Sequence, residues 1–358
     1  MEDQTFNGKP SIVLNHRPFF SIIIACYNSA PYLGELLQSI VEQHMQDDLE
    51  VILSDDCSTE SYDEVVNHYN KTLSIKRVQT DYNFAPGNTR QKGISVVSGK
   101  WLVFADHDDK FIPNTLSTVR EKIIESQEPY YVICDFKEQD PETGKTLRYY
   151  SRPNGWCHGK FFNVDNLWNK FNVRFEKDLR SHEDIYICSI MNCIMNYLGR
   201  QPLYLDFPCY IWNKRNNSLS KSMYENAKEN QKVTFFEHFF DDYLHSTADV
   251  YISEYQHNRI SYSFALENVI EVIAYSYFYL MGFMFHNPSY LKRNETLCRK
   301  LLLNAKEVFG ISNKDIYNIL STNDAEIFTQ IQKSAEIGAG PYIPCMTLKE
   351  YLTTYGKG

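Results

Sequence analysis

Three aspartates, Asp106, Asp108 and Asp109, fall within four positions of "WLVFADHDDKF", with His107 between them and five apolar residues just before. Like charges packed this closely repel, and at an effective dielectric near 20 two of them at about 4 Å cost roughly 4 kcal/mol. A cation in their midst reverses the sign. Hard divalent ions such as Mg²⁺ or Mn²⁺ bind one or two carboxylates and complete their shells with substrate phosphates. A second acidic pair, Asp55 and Asp56, closes "LEVILSDDCS", and a third, Glu183 and Asp184, follows His182 in "RSHEDIYICSIM". Acids at the mouth of a helix are stabilised by its dipole and orphan amides, so the third pair reads as helix capping or as a general base.

Elements that could hold these groups alternate along the first half. "FFSIIIACYN", "LEVILSDDCS", "IKRVQT" and "KWLVFADHDD" read as buried strands, and "APYLGELLQSIVEQHM", "ESYDEVVNHY" and "PGNTRQKGISVVSG" as the helices between them. Such βαβ alternation gives an α/β sheet whose ligands gather at the carboxyl ends of the strands. By that rule Tyr27 and Asn28, Asp55 and Asp56, and the acids at 106–109 lie along one edge. Neither G-x-x-x-x-G-K-[ST] nor G-x-G-x-x-G follows a strand, so glycine loops do not cradle a phosphate here and a cation held by acids is the alternative.

Composition narrows the partners. The 358 residues carry 36 basic against 45 acidic side chains, a net charge of −9, which argues against nucleic acid. The nine cysteines are scattered without a zinc spacing, which fits a reducing compartment. No basic start leads into an apolar stretch, so no signal peptide is expected. The greasiest segment, residues 272–285, is shorter than a membrane span and reads as a buried helix. The expected location is the cytoplasm, or the inner face of the membrane.

The motifs "SIIIACYNSAPYLGELLQSIVEQ", "EVILSDDCSTE", "NFAPGNTRQKGISVVSGKWLVFADHDD" and "SHEDIY" resemble, in order, those of the family 2 glycosyltransferases. The resemblance covers roughly residues 20–220. It implies a GT-A fold, a Rossmann-like mixed, mainly parallel sheet flanked by helices. It also implies a nucleotide-sugar donor, commonly a UDP-sugar, and inversion at the anomeric carbon. By position, Ala25, Tyr27, Asn28, Asp55, Asp56, Arg90, Asp106, His107 and Asp108 correspond to donor-binding residues, with Lys214, Arg215 and Ser218 closing over the diphosphate. Asp106, Asp108 and Asp109 correspond to the metal motif for Mn²⁺ or Mg²⁺, Asp108 as the principal ligand. Asp184 corresponds to the general base, with Glu183 as the alternative. Departures from the family pattern are Ala25 for a proline, Cys57 for a glycine and His107 for a small residue.

Beyond residue 222 the pattern turns helical, without strand alternation. The expected division is an N-terminal extension at 1–19, a glycosyltransferase domain at 20–222 and a helical domain at 223–358. The acceptor is expected to be a hydroxyl of a saccharide, a lipid-linked glycan carrier or a cell-surface polymer. A homodimer and a peripheral membrane contact both stay open. The competing readings are a nucleotidyltransferase, which would carry a glycine-rich basic loop near its start, and a nucleotide-sugar-binding protein without turnover.

Overall fold

The computed structural model describes residues 12–83, 85–127, 129–215, 240–278, 288–322 and 346–357. The chain divides into two compact units, one of Met1–Cys188 with Gln201–Ser222, the other of Ser189–Arg200 with Met223–Gly358.

In the first unit β1 (Phe20–Cys26), β2 (Leu49–Asp55), β3 (Ser74–Gln79) and β4 (Trp101–Asp106) form a parallel block in the order β3-β2-β1-β4. Ile22, Ile23 and Ile24 of β1 and Val51, Ile52 and Leu53 of β2 are all buried, on both sheet faces, which explains why these strands read as unbroken apolar runs. Helix α1 (Ala30–Val41) lays Leu33, Leu36, Leu37 and Ile40 on the sheet, at helical spacing after Pro31 in its first turn. Helix α2 (Asp63–Tyr69) buries Val66.

Helix α3 (Pro86–Ile94) packs closest, because Gly93 has no side chain. A Cβ there would stand 2.7 Å from Ile23 Cγ2. Gly93→Ala is therefore expected to lower stability by about 1–3 kcal/mol, read as a lower urea midpoint at unchanged slope.

The sheet continues past β4 in mixed sense. β8 (Lys160–Asn163) pairs antiparallel with β4 and with β6 (Tyr131–Gln139), and β6 runs parallel to β9 (Leu203–Asn213). The short β5 (Lys110–Phe111) pairs antiparallel with β9, and β7 (Thr146–Tyr150) with β6. Helix α4 (Thr115–Glu125) buries Leu116, Val119 and Ile123, and α5 (Glu183–Tyr197) begins at the third acidic pair. Trp168 is core, packed between Phe104, Phe162 and Phe175.

The second unit is helical in its described residues, with helices Val250–Gln256, Tyr262–Phe278, Pro288–Phe309, Asn313–Thr322 and Leu348–Tyr355. Its core includes Ala265, Val269, Ile273, Leu302, Ile316 and Tyr351, and a Thr347–Glu350 capping box starts the last helix. The apolar segment expected as a buried helix is helical through Phe278, with Val272, Ile273, Ala274 and Tyr277 buried, and residues 279–285 lie outside the described residues. Among the described residues no helix is long and apolar enough to cross a membrane. Their cysteines are all free, and all but Cys57 are buried.

Candidate active site

Strand register brings the motifs together. Ala25 of β1 lies opposite Asp106 of β4, and Cys26 opposite Asp55 of β2, so the carboxyl ends of three neighbouring strands meet at one edge. At the β1–β2 end the side chains are tied to the loop that follows β2. Asp55 accepts from the Ser58 amide at 3.1 Å and from its hydroxyl, and Asn28 Oδ1 accepts from the Thr59 amide at 2.9 Å. Asp56 accepts from Thr80 Oγ1 at 3.0 Å. Tyr27 is 48% exposed, a ring face open to stacking. Cys57 holds φ at 58°, the left-handed region that favours glycine, which gives a physical reason for the glycine common at this place.

The turn after β4 is fastened from β9. The Tyr210 hydroxyl donates to Asp109 Oδ2 at 2.9 Å and accepts from the Asp106 amide at 2.9 Å. The Asn213 amide donates to Asp109 Oδ1 at 2.8 Å, and Asn213 Nδ2 donates to the Asp108 carbonyl at 2.7 Å. Asp109 is fully buried, and burial pushes its carboxyl well above the usual range. Burial also raises Asp108, helped by the Asp106 charge and opposed by His107 and Arg215. Arg215 Nε stands 3.6 Å from Asp108 Oδ2, with the guanidinium 4.2 Å over the Tyr32 ring. His107 Nδ1 lies 3.2 Å from the Ala25 carbonyl.

Arg90 is the hub. Only 4% exposed, it donates from Nη2 to Asp106 Oδ1 at 2.7 Å and from Nη1 to Glu183 Oε1 at 2.7 Å and Asp184 Oδ1 at 3.0 Å. Burial alone would raise Asp106, but the Arg90 charge and the His158 contact outweigh it and hold that carboxyl far below the usual range. Burial raises Glu183, against the pull of Arg90. Glu183 and Asp184 thus face a guanidinium, which simple helix capping does not require.

Among the expected residues, Arg90, Asp106, Asp108, Asp109, Glu183, Asp184, Ala25, His107 and Arg215 converge on this edge, with Tyr27, Asn28, Asp55 and Asp56 at its β1–β2 end. Lys214 does not join them, since its ammonium pairs with Glu138 Oε1 at 2.6 Å. The Asn213 and Arg215 side chains reach the acid turn, and Lys214 between them reaches β6 instead. Ser218 lies outside the described residues.

Three partners were not foreseen from sequence: Tyr210, Asn213 and His158. His158 lies in "GWCHGK", a stretch without a motif, yet its Nε2 sits 3.2 Å from Asp106 Oδ2 and its ring stacks on Tyr210 at 5.0 Å. Alternation back from Arg215 could have found Asn213; nothing local marks His158. Burial by itself would lower the His158 pKa, but the bond to Asp106 overrides it and pushes it up to about 9. A folded pKa above the unfolded one means stability that is complete below about pH 6.5 and lost as pH rises through about 9. The difference corresponds to on the order of 3 kcal/mol. His158→Gln is expected to flatten that alkaline fall, measured by urea unfolding between about pH 6 and 10.

The set suits a divalent cation. Asp106 and Asp109 each offer a carboxylate oxygen and Asp108 adds a third carboxylate beside them, while His158, held protonated by Asp106, contributes charge and no ligand atom in that state. The acids at this edge, Asp106, Asp108, Asp109, Glu183 and Asp184, outnumber the contacting cations Arg90, Arg215 and His158.

Comparison with known proteins matches the model of glycosyl transferase family 2 over residues 21–203. The chain belongs to that family. The chain is 26% identical over 264 residues to the poly(ribitol-phosphate) beta-N-acetylglucosaminyltransferase TarS of Staphylococcus aureus, covering 68% of this chain but 44% of that protein. It therefore spans less than half the length of this relative. It is 30% identical over 178 residues to a GalNAc(5)-diNAcBac-PP-undecaprenol beta-1,3-glucosyltransferase of Campylobacter jejuni, covering 46% of this chain and 57% of that one. The crystal structure of S. aureus TarS 1-349 in complex with UDP-GlcNAc shares the fold, with a TM-score of 0.63 at 19% identity over 89% of this chain and 92% of that one. The family 2 chain thus has the GT-A architecture of a mixed sheet with flanking helices.

Proposed function

We propose that this glycosyltransferase moves a sugar from a nucleotide-sugar, a UDP-sugar in the first instance, to a hydroxyl of a saccharide, lipid-linked or cell-surface polymer acceptor, with inversion. The observation that carries the reading is the junction at Arg90, where the acid turn that ends β4 and the acid pair that starts α5 are bound to one guanidinium. A leaving-group site and a base site side by side are what single displacement needs.

Tyr27, Asn28, Asp55 and Asp56 would receive the nucleoside, and Arg215 would lie against the diphosphate. Asp106 and Asp108 would hold Mn²⁺ or Mg²⁺, while Asp109, fully buried, fixes the turn. Bound there, the ion would draw charge from the departing diphosphate. Asp184 is the proposed base, its Oδ2 fixed by the Cys157 amide at 3.0 Å. The acceptor class is supported by the relatives named above, two of which act on polymer or lipid-linked glycans by name. A location at the cytoplasmic face of the membrane belongs to the same proposal.

The test is a screen of nucleotide-sugars for release of nucleoside diphosphate with Mn²⁺ or Mg²⁺ present. One donor hydrolysed slowly without acceptor identifies the sugar. Absence of release and of binding across UDP-, GDP- and dTDP-sugars overturns the reading.

A further inference from the structure

We propose that Tyr210 and His158 act together as positioning residues for the acid turn, the Tyr210 hydroxyl stapling its first residue to its last so that Asp108 is presented to the ion. This rests on the proposed function above, in which Asp108 holds Mn²⁺ or Mg²⁺. Three aspartates within four positions repel one another, so a turn that carries them keeps one shape only when bonds from outside fix it. Along its own backbone the turn is closed from the Asp109 amide to the Asp106 carbonyl at 3.1 Å. The further ties come from β9 and from residue 158.

A phenol hydroxyl has one proton to give and lone pairs that receive, whereas a backbone amide only gives. The Asp106 amide therefore donates to the Tyr210 oxygen, which donates in turn to Asp109 Oδ2, both at 2.9 Å. One atom thus spans the first and fourth positions of the turn. That atom is itself held in place. Tyr210 is fully buried, its ring stacked on His158 with centroids 5.0 Å apart at 18° and met edge-on by Phe111 at 5.3 Å. Phe111 stands there because β5 follows the turn at once and pairs with β9 in a register that sets Phe111 opposite Tyr210. His158 adds a bond of its own, from Nε2 to Asp106 Oδ2 at 3.2 Å. Asn213 holds the Asp108 carbonyl at 2.7 Å, so the backbone on both sides of the Asp108 side chain is fixed. Metal ligands are commonly carried this way, on a support whose own hydrogen bonds orient them.

The test is calorimetry with UDP, and with GDP and dTDP where UDP does not bind, in Mn²⁺ and in EDTA, on wild type, Tyr210→Phe and His158→Gln, with urea unfolding alongside. Tyr210→Phe removes one oxygen and leaves the ring between its neighbours. It is expected to weaken nucleotide binding about tenfold or more with Mn²⁺ and to leave binding without metal within about twofold of wild type, the scale on which groups behind a metal ligand act. A lower urea midpoint accompanies it, since a buried amide and a buried carboxylate lose a partner, but a loss of stability alone does not separate the two titrations. His158→Gln keeps a donor for Asp106 and removes the stacked ring, and the same contrast is expected at about threefold or more. Wild-type affinity with Mn²⁺ in either variant, or equal weakening with and without Mn²⁺, overturns the proposal and leaves the proposed function standing. If Tyr210→Phe shows no cooperative unfolding, His158→Gln decides by the same two criteria. A wild type that binds none of the three nucleotides, or binds them equally with and without Mn²⁺, refutes the ion reading itself and this proposal with it.

Discussion

Replacing Asp184 by Asn is expected to lower sugar transfer by about 10²–10⁴-fold while leaving nucleotide affinity nearly unchanged, the range for loss of a general base. The substitution keeps shape and one acceptor oxygen, so the bond from Arg90 or from the Cys157 amide survives. What disappears is the capacity to take a proton from the acceptor hydroxyl. Rapid-quench measurement of transfer beside calorimetry with UDP separates the two. Glu183→Gln serves as the control, because Glu183 bonds the same Arg90 nitrogen. Full transfer by the Asp184 variant with loss in the Glu183 variant would reassign the base. An α-linked product from an α-linked donor, read by NMR, would remove the inverting mechanism itself.

Asp108→Ala is the second large effect. Asp108 is a partly exposed acid at the turn whose nearest cation, Arg215, stands at 3.6 Å. Its loss should weaken UDP binding at least tenfold in the presence of Mn²⁺ and leave binding without metal almost unaltered, on the scale that disruption around a metal carries. The contrast between the two titrations is the result that matters. Equal weakening with and without Mn²⁺ would mean that Asp108 serves the nucleotide directly.

Asp109→Asn should behave differently from either. Its carboxylate is buried and bound by Tyr210 and the Asn213 amide, so its loss is expected to appear first in stability.

The parallel half of the sheet was legible because its strands are apolar on both faces and end in acids, as "FFSIIIACYN" and "KWLVFADHDD" do. Ala25 opposite Asp106 is the register that such strands impose. Glu183 and Asp184 stood out as an acid pair at a helix mouth, where capping was the simpler reading, and only the resemblance implied a base there. Their shared partner, Arg90, lies 93 and 94 residues away, and no local pattern encodes a contact of that span. His158 was illegible for the same reason, since it reaches Asp106 only because β8 returns antiparallel beside β4. Lys214 was grouped with Arg215 by its charge and position, and its pair with Glu138 is a contact to β6 that the local sequence does not mark.

The Tyr210 and Asn213 bonds to Asp109 cross 101 and 104 residues of chain. Contacts of such separation form only after the intervening loop entropy has been overcome, so they belong to the later part of a folding trajectory. A nascent chain that has emerged only through β5 possesses the acidic sequence but not these bonds. The turn acquires them when β9 enters the sheet, which makes completion of the acid turn a late milestone of biogenesis.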